Sequence, residues 1–312
     1  MLKGLFKDSH PVVQLLILLV LVLTGALAGQ LAGVTVCFLK YGFSMEIVEA
    51  MLRNMAEYPS ALRELQFFAS LGAFVFPAIF SAYLFSDDNK GYLKIDTPVY
   101  FSLTIWTVVS MQIALPFLNF VAYFNQQIHF PESLRFLEEL LRNQEELNQT
   151  LSVSMLKAEN TWALILNIVV IGIFAAVGEE FIFRGILQNV FGRFIRNKHV
   201  VIWLVAVIFS AIHLQFYGFI PRVLLGAYFG YLLYFTKNMW MPVIAHLVNN
   251  LFIILAYWNY GDHPEKLEKM DQVGTGPSWW MALLSLVLFG VIFGIIRRQS
   301  AKCIEEMPPN SD

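Results

Sequence analysis

Residues 161–191 read TWALILNIVVIGIFAAVGEEFIFRGILQNVF, an apolar run long enough to cross a bilayer as a helix. Two adjacent glutamates, Glu179 and Glu180, interrupt it, and Arg184 follows one helical turn later. Each charged side chain at mid-bilayer costs roughly 2.5–3.5 kcal/mol on insertion scales, so the three cost about 8–10 kcal/mol before any pairing. A membrane helix with such charges needs interior partners for them, and we therefore look for the function at this cluster.

The composition is typical of a multi-pass membrane protein. Of the 312 residues, 57% are hydrophobic and 14% are charged, and the mean hydropathy is +0.61. Soluble domains average about 25% charged residues. The net charge of −2 gives no indication of a nucleic-acid partner, and the lipid bilayer is the expected environment. Cys37 and Cys303 fall in a predicted span and in the C-terminal tail, so no disulfide is expected.

Apolar windows of about 20 residues recur along the chain and predict an all-α, polytopic membrane helix bundle with about eight transmembrane helices. The eight windows are Pro11–Phe38, Gln66–Phe85, Pro98–Phe124, Trp162–Phe191, Val200–Phe216, Pro221–Phe235, Trp240–Trp258 and Trp279–Ile296. Small residues spaced four apart, at Gly25/Gly29/Gly33, Gly226/Gly230 and Gly290/Gly294, predict close helix–helix packing.

The ends of the chain are expected on the cytoplasmic side of the cell membrane. Lys3 and Lys7 precede the first apolar run, and residues 26–28 resemble a signal-peptide cleavage site, but the run continues to Phe38 and predicts a retained helix. An even number of spans puts both termini on one side. The short segments on that side have the higher density of Lys and Arg, which predicts that they are cytoplasmic.

The segment 126–160 between the third and fourth spans has a different pattern. Leucines and a phenylalanine alternate with acidic residues at helical spacing, and Pro131-Glu132-Ser133 resembles a helix start. This pattern predicts one amphipathic outer helix, solvated on one face and lying on the bilayer surface.

The other polar side chains of the spans lie on separate predicted helices. The first three spans and the last contain no Asp, Glu, Lys, Arg or His. His213 and His246 are the two histidines inside spans, and Asn250 follows His246 by one helical turn. Arg222 lies near a span end, where its side chain can reach the interface. At about 1.5 Å per residue, these side chains lie at depths along their helices that allow one shared pocket.

Such a set of side chains suits hydrolysis. A carboxylate in a poorly solvated site can act as a general base toward water, and an imidazole can orient that water or carry its proton. An amide with a second imidazole can stabilise an oxyanion, worth about 3–4 kcal/mol in soluble hydrolases. The same carboxylates and imidazoles are also zinc ligands. The sequence contains neither HExxH nor GxSxG, so it indicates neither an ordinary zinc protease nor a serine hydrolase.

Alternatives from other classes stay open at this point. Glu180 and Arg184 have the spacing of a structural ion pair, and a single buried histidine can simply bridge two helices. Buried glutamates and histidines also form the relays of proton-coupled transporters. A third alternative is a non-catalytic membrane scaffold that uses the same polar cluster to bind a partner.

Three motifs follow one another on separate predicted spans, within residues 162–258. They are Glu179-Glu180-x-x-x-Arg184, Phe209-x-x-x-His213 and His246-x-x-x-Asn250. Their residues and their order resemble the CAAX-protease and bacteriocin-processing (CPBP) family of intramembrane peptidases, which includes the eukaryotic Ras-converting CAAX endopeptidase and bacterial abortive-infection proteins. The resemblance suggests three regions: N-terminal helices with the surface helix over 1–161, catalytic core helices over 162–258, and the last span with its tail over 259–312.

The resemblance implies an intramembrane endopeptidase that acts on a membrane-associated or lipidated peptide or protein. By analogy, Glu179 and His213 activate the water. His246 and Asn250 stabilise the oxyanion. Glu180 and Arg184 support the site. Family members have been labelled metalloproteases, yet a glutamate mechanism without metal is an equally serious reading, so a divalent metal such as zinc stays open as a cofactor. The chain's own C-terminus, Pro309-Asn310-Ser311-Asp312, is no CAAX box.

Overall fold

A computed structural model describes residues 2–42 and 44–305; the C-terminal tetrapeptide noted above lies outside these ranges. Within them the chain is helical, with no strand, which confirms the polytopic all-α bundle. The helices are α1 Pro11–Tyr41, α2 Met45–Arg53, α3 Pro59–Phe85, α4 Asn89–Leu93, α5 Phe101–Gln126, α6 Arg135–Leu156, α7 Thr161–Phe191, α8 Lys198–Ala211, α9 Phe219–Thr236, α10 Trp240–Tyr260, α11 Pro264–Asp271 and α12 Trp279–Glu305.

Within residues 2–42 and 44–305, seven apolar segments are long enough to cross a membrane: α1, α3, α5, α7, α9, α10 and the stretch Pro264–Glu305, which contains α11 and α12. The predicted fifth span over 200–216 is wrong in its extent, because α8 has 14 residues and ends at Ala211. At about 1.5 Å per residue it is roughly 21 Å long, shorter than the hydrocarbon core. The backbone of Leu214 turns to φ 52°, and the Ser210 hydroxyl donates to the carbonyl of Phe219 at 2.8 Å, which closes a hairpin into α9.

The described bundle has two ends, which we call the α6 end and the terminal end. At the α6 end, the Arg63 guanidinium donates to the carbonyls of Met155 and Lys157 at 3.0 and 2.9 Å, which attaches the end of α6 to α3. At the terminal end, the amide of Gly4 donates to the carbonyl of Tyr83 at 2.9 Å. The helix predicted within 126–160 is present as α6, and a 3₁₀ turn over Glu132–Leu134 precedes it.

Close backbone contact joins α1 to α3. A Cβ atom added at Gly25 would lie 2.1 Å from the carbonyl oxygen of Gly72, so only glycine permits this approach. The predicted packing role of the first glycine stripe is confirmed. The prediction of close packing is wrong for Gly290 and Gly294, where an added Cβ would meet nothing within 4 Å. No disulfide joins Cys37 and Cys303, as expected.

Helix α7 departs from regular α-helical geometry on both sides of its two glutamates. π-Helical segments run over Ile168–Phe174 and Phe181–Leu187, and a third lies in α3 over Leu71–Val75. A π-helical segment changes the direction in which side chains project and frees backbone carbonyls, and such segments are frequent at functional sites. A buried apolar cluster of α3, α7, α8 and α10 side chains surrounds this part of α7, with Ile186, Val205 and Val243 among its members.

Candidate active site

A buried ion pair forms the floor of the site. The Arg184 guanidinium donates from Nη1 to Glu180 Oε1 at 2.9 Å, and both side chains are 0% exposed. Nη2 of the same guanidinium donates to the carbonyl of Gly226 in α9 at 2.8 Å. The rings of Phe209 and Phe229 lie 4.6 and 5.4 Å from its centre, at cation–π distance. These contacts connect α7, α8 and α9 and fix the orientation of the Glu180 carboxylate.

The same carboxylate oxygen holds His246 of α10. Its Nδ1 lies 2.8 Å from Glu180 Oε1, and its ring stacks on Phe229 with centroids 5.2 Å apart. Because a carboxylate accepts hydrogen bonds, Nδ1 carries a proton in this arrangement. The other ring nitrogen, Nε2, lies 3.8 Å from Glu179 Oε2. His246 therefore connects the two adjacent glutamates.

His213 approaches the same oxygen of Glu179 from the turn after α8. Its Nδ1 lies 2.8 Å from the carbonyl oxygen of Phe209, so Nδ1 donates and a neutral imidazole has its lone pair on Nε2. That Nε2 lies 3.9 Å from Glu179 Oε2, which is buried and has no hydrogen-bond partner in the described chain. Two acceptors at this separation leave room for one water molecule that donates to both.

Asn250 lies one turn of α10 beyond His246. Its Nδ2 donates to the carbonyl of Ile171 at 2.9 Å, inside the π-helical segment Ile168–Phe174. One of the two amide hydrogens of Asn250 thus attaches α10 to α7, and the second takes no part in this hydrogen bond. The structure brings the other five predicted residues into one cluster, whereas Asn250 has no direct hydrogen bond to any of them in the described ranges.

The donor atoms suit zinc in type but not in spacing. Zinc bonds of about 2.0–2.1 Å in a tetrahedral site place ligand atoms roughly 3.3–3.5 Å apart. Nε2 of His213 and of His246 lie 3.9 and 3.8 Å from Glu179 Oε2. Among the residues that the structure describes, no group of three or more His, Cys, Asp or Glu side chains is placed to hold a metal ion. The described side chains therefore do not fit a tetrahedral zinc site.

Helix α6 holds the turn that carries His213. Glu145 Oε2 accepts a hydrogen bond from the backbone amide of Tyr217 at 2.9 Å, and the Arg142 guanidinium lies 4.5 Å from the Tyr217 ring centre. In the same turn, Asn125 of α5 donates to the carbonyl of Phe216 at 2.8 Å. These contacts fix the backbone three and four residues after His213. The amphipathic sequence pattern of α6 did not predict that this helix holds the turn after α8.

Arg142 is itself fixed by an acidic partner on α6. Its Nη2 donates to Glu138 Oε1 at 2.8 Å, and Glu138 also accepts from the amide of Phe130 at 3.0 Å. Hydrogen bonds from Arg142, from the Phe130 amide and from His129 lower the pKa of Glu138 to about 2. Glu138 therefore stays ionised over the physiological pH range and keeps Arg142 in place.

Arg222 in the first turn of α9 was expected to extend toward the interface, but it is half-buried beside the site. Its Nη2 donates to the side-chain oxygen of Gln215, two residues after His213. In the sequence, Arg222 is an arginine inside an apolar span. Such a residue can belong to a buried site or extend its side chain to the membrane interface, and the sequence does not distinguish the two. Only the turn after α8 reveals that this arginine belongs to the site.

Comparison with known proteins supports the family resemblance. Residues 161–252 match the family model described as type II CAAX prenyl endopeptidase Rce1-like. Searches of curated proteins and of solved structures give no match. The matched segment contains all of α7, α8 and α9, most of α10, and all three motifs. The resemblance of this chain to the CAAX-protease and bacteriocin-processing family is therefore confirmed over residues 161–252.

Proposed function

We propose that this protein is an intramembrane endopeptidase that hydrolyses a peptide bond with water activated by Glu179 and His213. The observation that carries the proposal is the pair of facing acceptors, Glu179 Oε2 and His213 Nε2, 3.9 Å apart. The side chains of Glu179 and His213 are 13% and 28% exposed, so the site is sheltered from lipid and water without being sealed. The family match over 161–252 supports a membrane protease in general terms.

The first step is attack by water on the scissile carbonyl. A water held between the two acceptors donates one hydrogen to the Glu179 carboxylate and the other to His213 Nε2. As the oxygen bonds to the carbonyl carbon, Glu179 takes the proton, and the π electrons move onto the carbonyl oxygen. The hydrogen bond from His213 Nδ1 to the Phe209 carbonyl keeps Nε2 directed at the water.

The second step is collapse of the tetrahedral intermediate. When Nε2 carries a proton, His246 donates from it to the oxyanion, while Glu180, 2.8 Å from Nδ1, holds the ring in place. Asn250 offers its second amide hydrogen to the same charge. The C–N bond then breaks, and the proton that Glu179 accepted passes to the departing amine, so the carboxylate is regenerated.

The substrate in this proposal is a membrane-associated peptide or protein segment, lipidated or not, that reaches the site from within or beside the bilayer. The protein resides in the cell membrane with both termini in the cytoplasm. Residues 162–258 form its catalytic core, between N-terminal helices over 1–161 and a last span over 259–312. No nucleic acid takes part, and the reaction proceeds without a bound metal.

The test uses full-length protein in lipid nanodiscs and a library of membrane-associated peptides, with products identified by mass spectrometry. Wild-type protein should cleave a subset of the library, and Glu179→Gln should abolish that cleavage. Glu146→Gln is the matched control, because Glu146 is exposed on α6. Cleavage by Glu179→Gln at the wild-type rate would refute the mechanism.

The same experiment separates the alternative functions. A proton-coupled transporter would release no peptide and would show pH-driven uptake into vesicles that depends on Glu179. A non-catalytic scaffold would release no peptide either, and its cellular activity would survive Glu179→Gln. Cleavage that persists after exhaustive treatment with a metal chelator supports the metal-free reaction, and its loss would contradict that part of the proposal.

A further inference from the structure

Arg222 is a charged group of the site that the proposed reaction does not use. Its Nη1 is buried and has no hydrogen-bond partner in the described chain, whereas Nη2 donates to Gln215. Buried donors in folded proteins are nearly always paired, and leaving one unpaired is unfavourable, more so when the group is charged. The guanidinium therefore has unused capacity to donate a hydrogen bond.

The position of Arg222 places this capacity beside the turn that carries His213. Its partner Gln215 is two residues after His213, and Arg222 lies within electrostatic range of both Glu179 and His213. Within residues 2–42 and 44–305 it has no ion pair with a carboxylate at 4.0 Å or less. Glu145, the acidic side chain of α6 in electrostatic range, already accepts from a backbone amide.

The local backbone is shaped around the guanidinium. A Cβ atom added at Gly218 would lie 3.1 Å from Arg222 Nη2, tighter than ordinary side-chain contact. Glycine at this point lets the turn after α8 close over the guanidinium, and the bond to Gln215 fixes one edge of it. A planar, fixed guanidinium suits carboxylate recognition, because its N–H groups match two carboxylate oxygens.

We propose that Arg222 binds a carboxylate of the substrate close to the scissile bond, which makes it a specificity-determining residue of the proposed peptidase. The carboxylate belongs either to the C-terminus of the substrate or to an acidic side chain near the cut. Both sources offer the same pair of oxygens to the guanidinium. The inference rests on the proposed function in that the bound carboxylate is part of the peptide to be cleaved.

The experiment measures binding without cleavage. Full-length Glu179→Gln protein in nanodiscs is titrated with four fluorescent N-dodecanoyl tetrapeptides. Two differ only in a free C-terminal carboxylate or a carboxamide, and two amidated ones differ only in an internal Asp or Asn. In at least one pair the acid should bind about tenfold tighter or more. The pair that shows the preference identifies the source of the carboxylate.

Variants assign the preference to the guanidinium. Adding Arg222→Gln should bring the acid-to-amide ratio of affinities close to one, and Arg222→Lys should retain only part of it. Gly218→Ala, which pushes a methyl group against Nη2, is a second variant that should lower the ratio. Arg135→Gln is the control, because the Arg135 side chain is 74% exposed on α6, and it should keep the full ratio.

Equal affinities within both pairs for protein that has Arg222 would overturn the inference. A preference that survives Arg222→Gln, in protein with the thermal unfolding profile of its parent, would also overturn it. The outcome is independent of catalysis: a wild-type protein that hydrolyses no peptide would refute the proposed function, whereas the carboxylate preference and its loss would still be measured here.

Discussion

Removal of Arg184 alone should destabilise the protein more than removal of both charges of its ion pair. In Arg184→Met the Glu180 carboxylate, 0% exposed, loses the guanidinium at 2.9 Å and stays buried. Breaking one side of such a pair costs about 3–5 kcal/mol. The carbonyl of Gly226 also loses its donor, which lies 2.8 Å away.

The double variant Glu180→Gln/Arg184→Met removes both charges and retains an acceptor for His246. Only the unpaired Gly226 carbonyl and the packing of the lost guanidinium remain as costs, about 1–3 kcal/mol. The double variant should therefore be more stable than the single one by about 2 kcal/mol.

The assay is reversible unfolding in mixed detergent and SDS micelles, followed by tryptophan fluorescence. The control is Arg53→Met, which breaks an ion pair of the same i,i+4 spacing whose side chains are 81% and 61% exposed. It should change the free energy of unfolding by no more than about 0.5 kcal/mol. A loss below about 1 kcal/mol in Arg184→Met, or a double variant less stable than the single, would refute the reasoning.

Three further predictions concern the surroundings of the site. Asn250→Ala should lower kcat about 10²–10³-fold, measured in the cleavage assay; an unchanged kcat would remove it from the oxyanion site. Glu145→Gln should slow cleavage several-fold because it weakens the charge-assisted bond that holds the turn after α8, and Glu146→Gln should not; equal rates would contradict the role of α6. Burial and two neighbouring lysines lower the pKa of Lys94, outside the spans, from 10.5 to about 8. The unfolded chain then binds more protons between these values, so the free energy of unfolding should rise with pH from about 8 to 10.5, and Lys94→Gln should lose that rise.

The sequence was sufficient for the fold class and for the members of the cluster. Apolar windows of spanning length fix the helices, and charges that are too costly in lipid had to converge in the interior. Glu180 with Arg184 shows this directly, because i,i+4 spacing alone predicts the ion pair that the structure contains.

The limits of the prediction lie where backbone geometry departs from a regular helix. Apolar content does not reveal that α8 ends at Ala211, since the turn depends on the φ of Leu214 and on a hydrogen bond to α9. Nor does it reveal the π-helical segments of α7, one of which offers the carbonyl that binds Asn250. The contact of Arg222 with Gln215 depends on the same turn, so helical spacing does not reveal it.

A double-mutant cycle on Glu179 and His213 measures whether the two side chains activate one water together. The rate of peptide cleavage is measured for wild type, Glu179→Gln, His213→Gln and the combined variant, in the same nanodiscs. Groups that act as a unit have strongly non-additive effects. If Glu179 and His213 hold one water together, each single variant should lose nearly all activity, and the double variant should be no slower than the slower single one. A single variant with the wild-type rate, or losses that multiply in the double variant, would contradict this joint role.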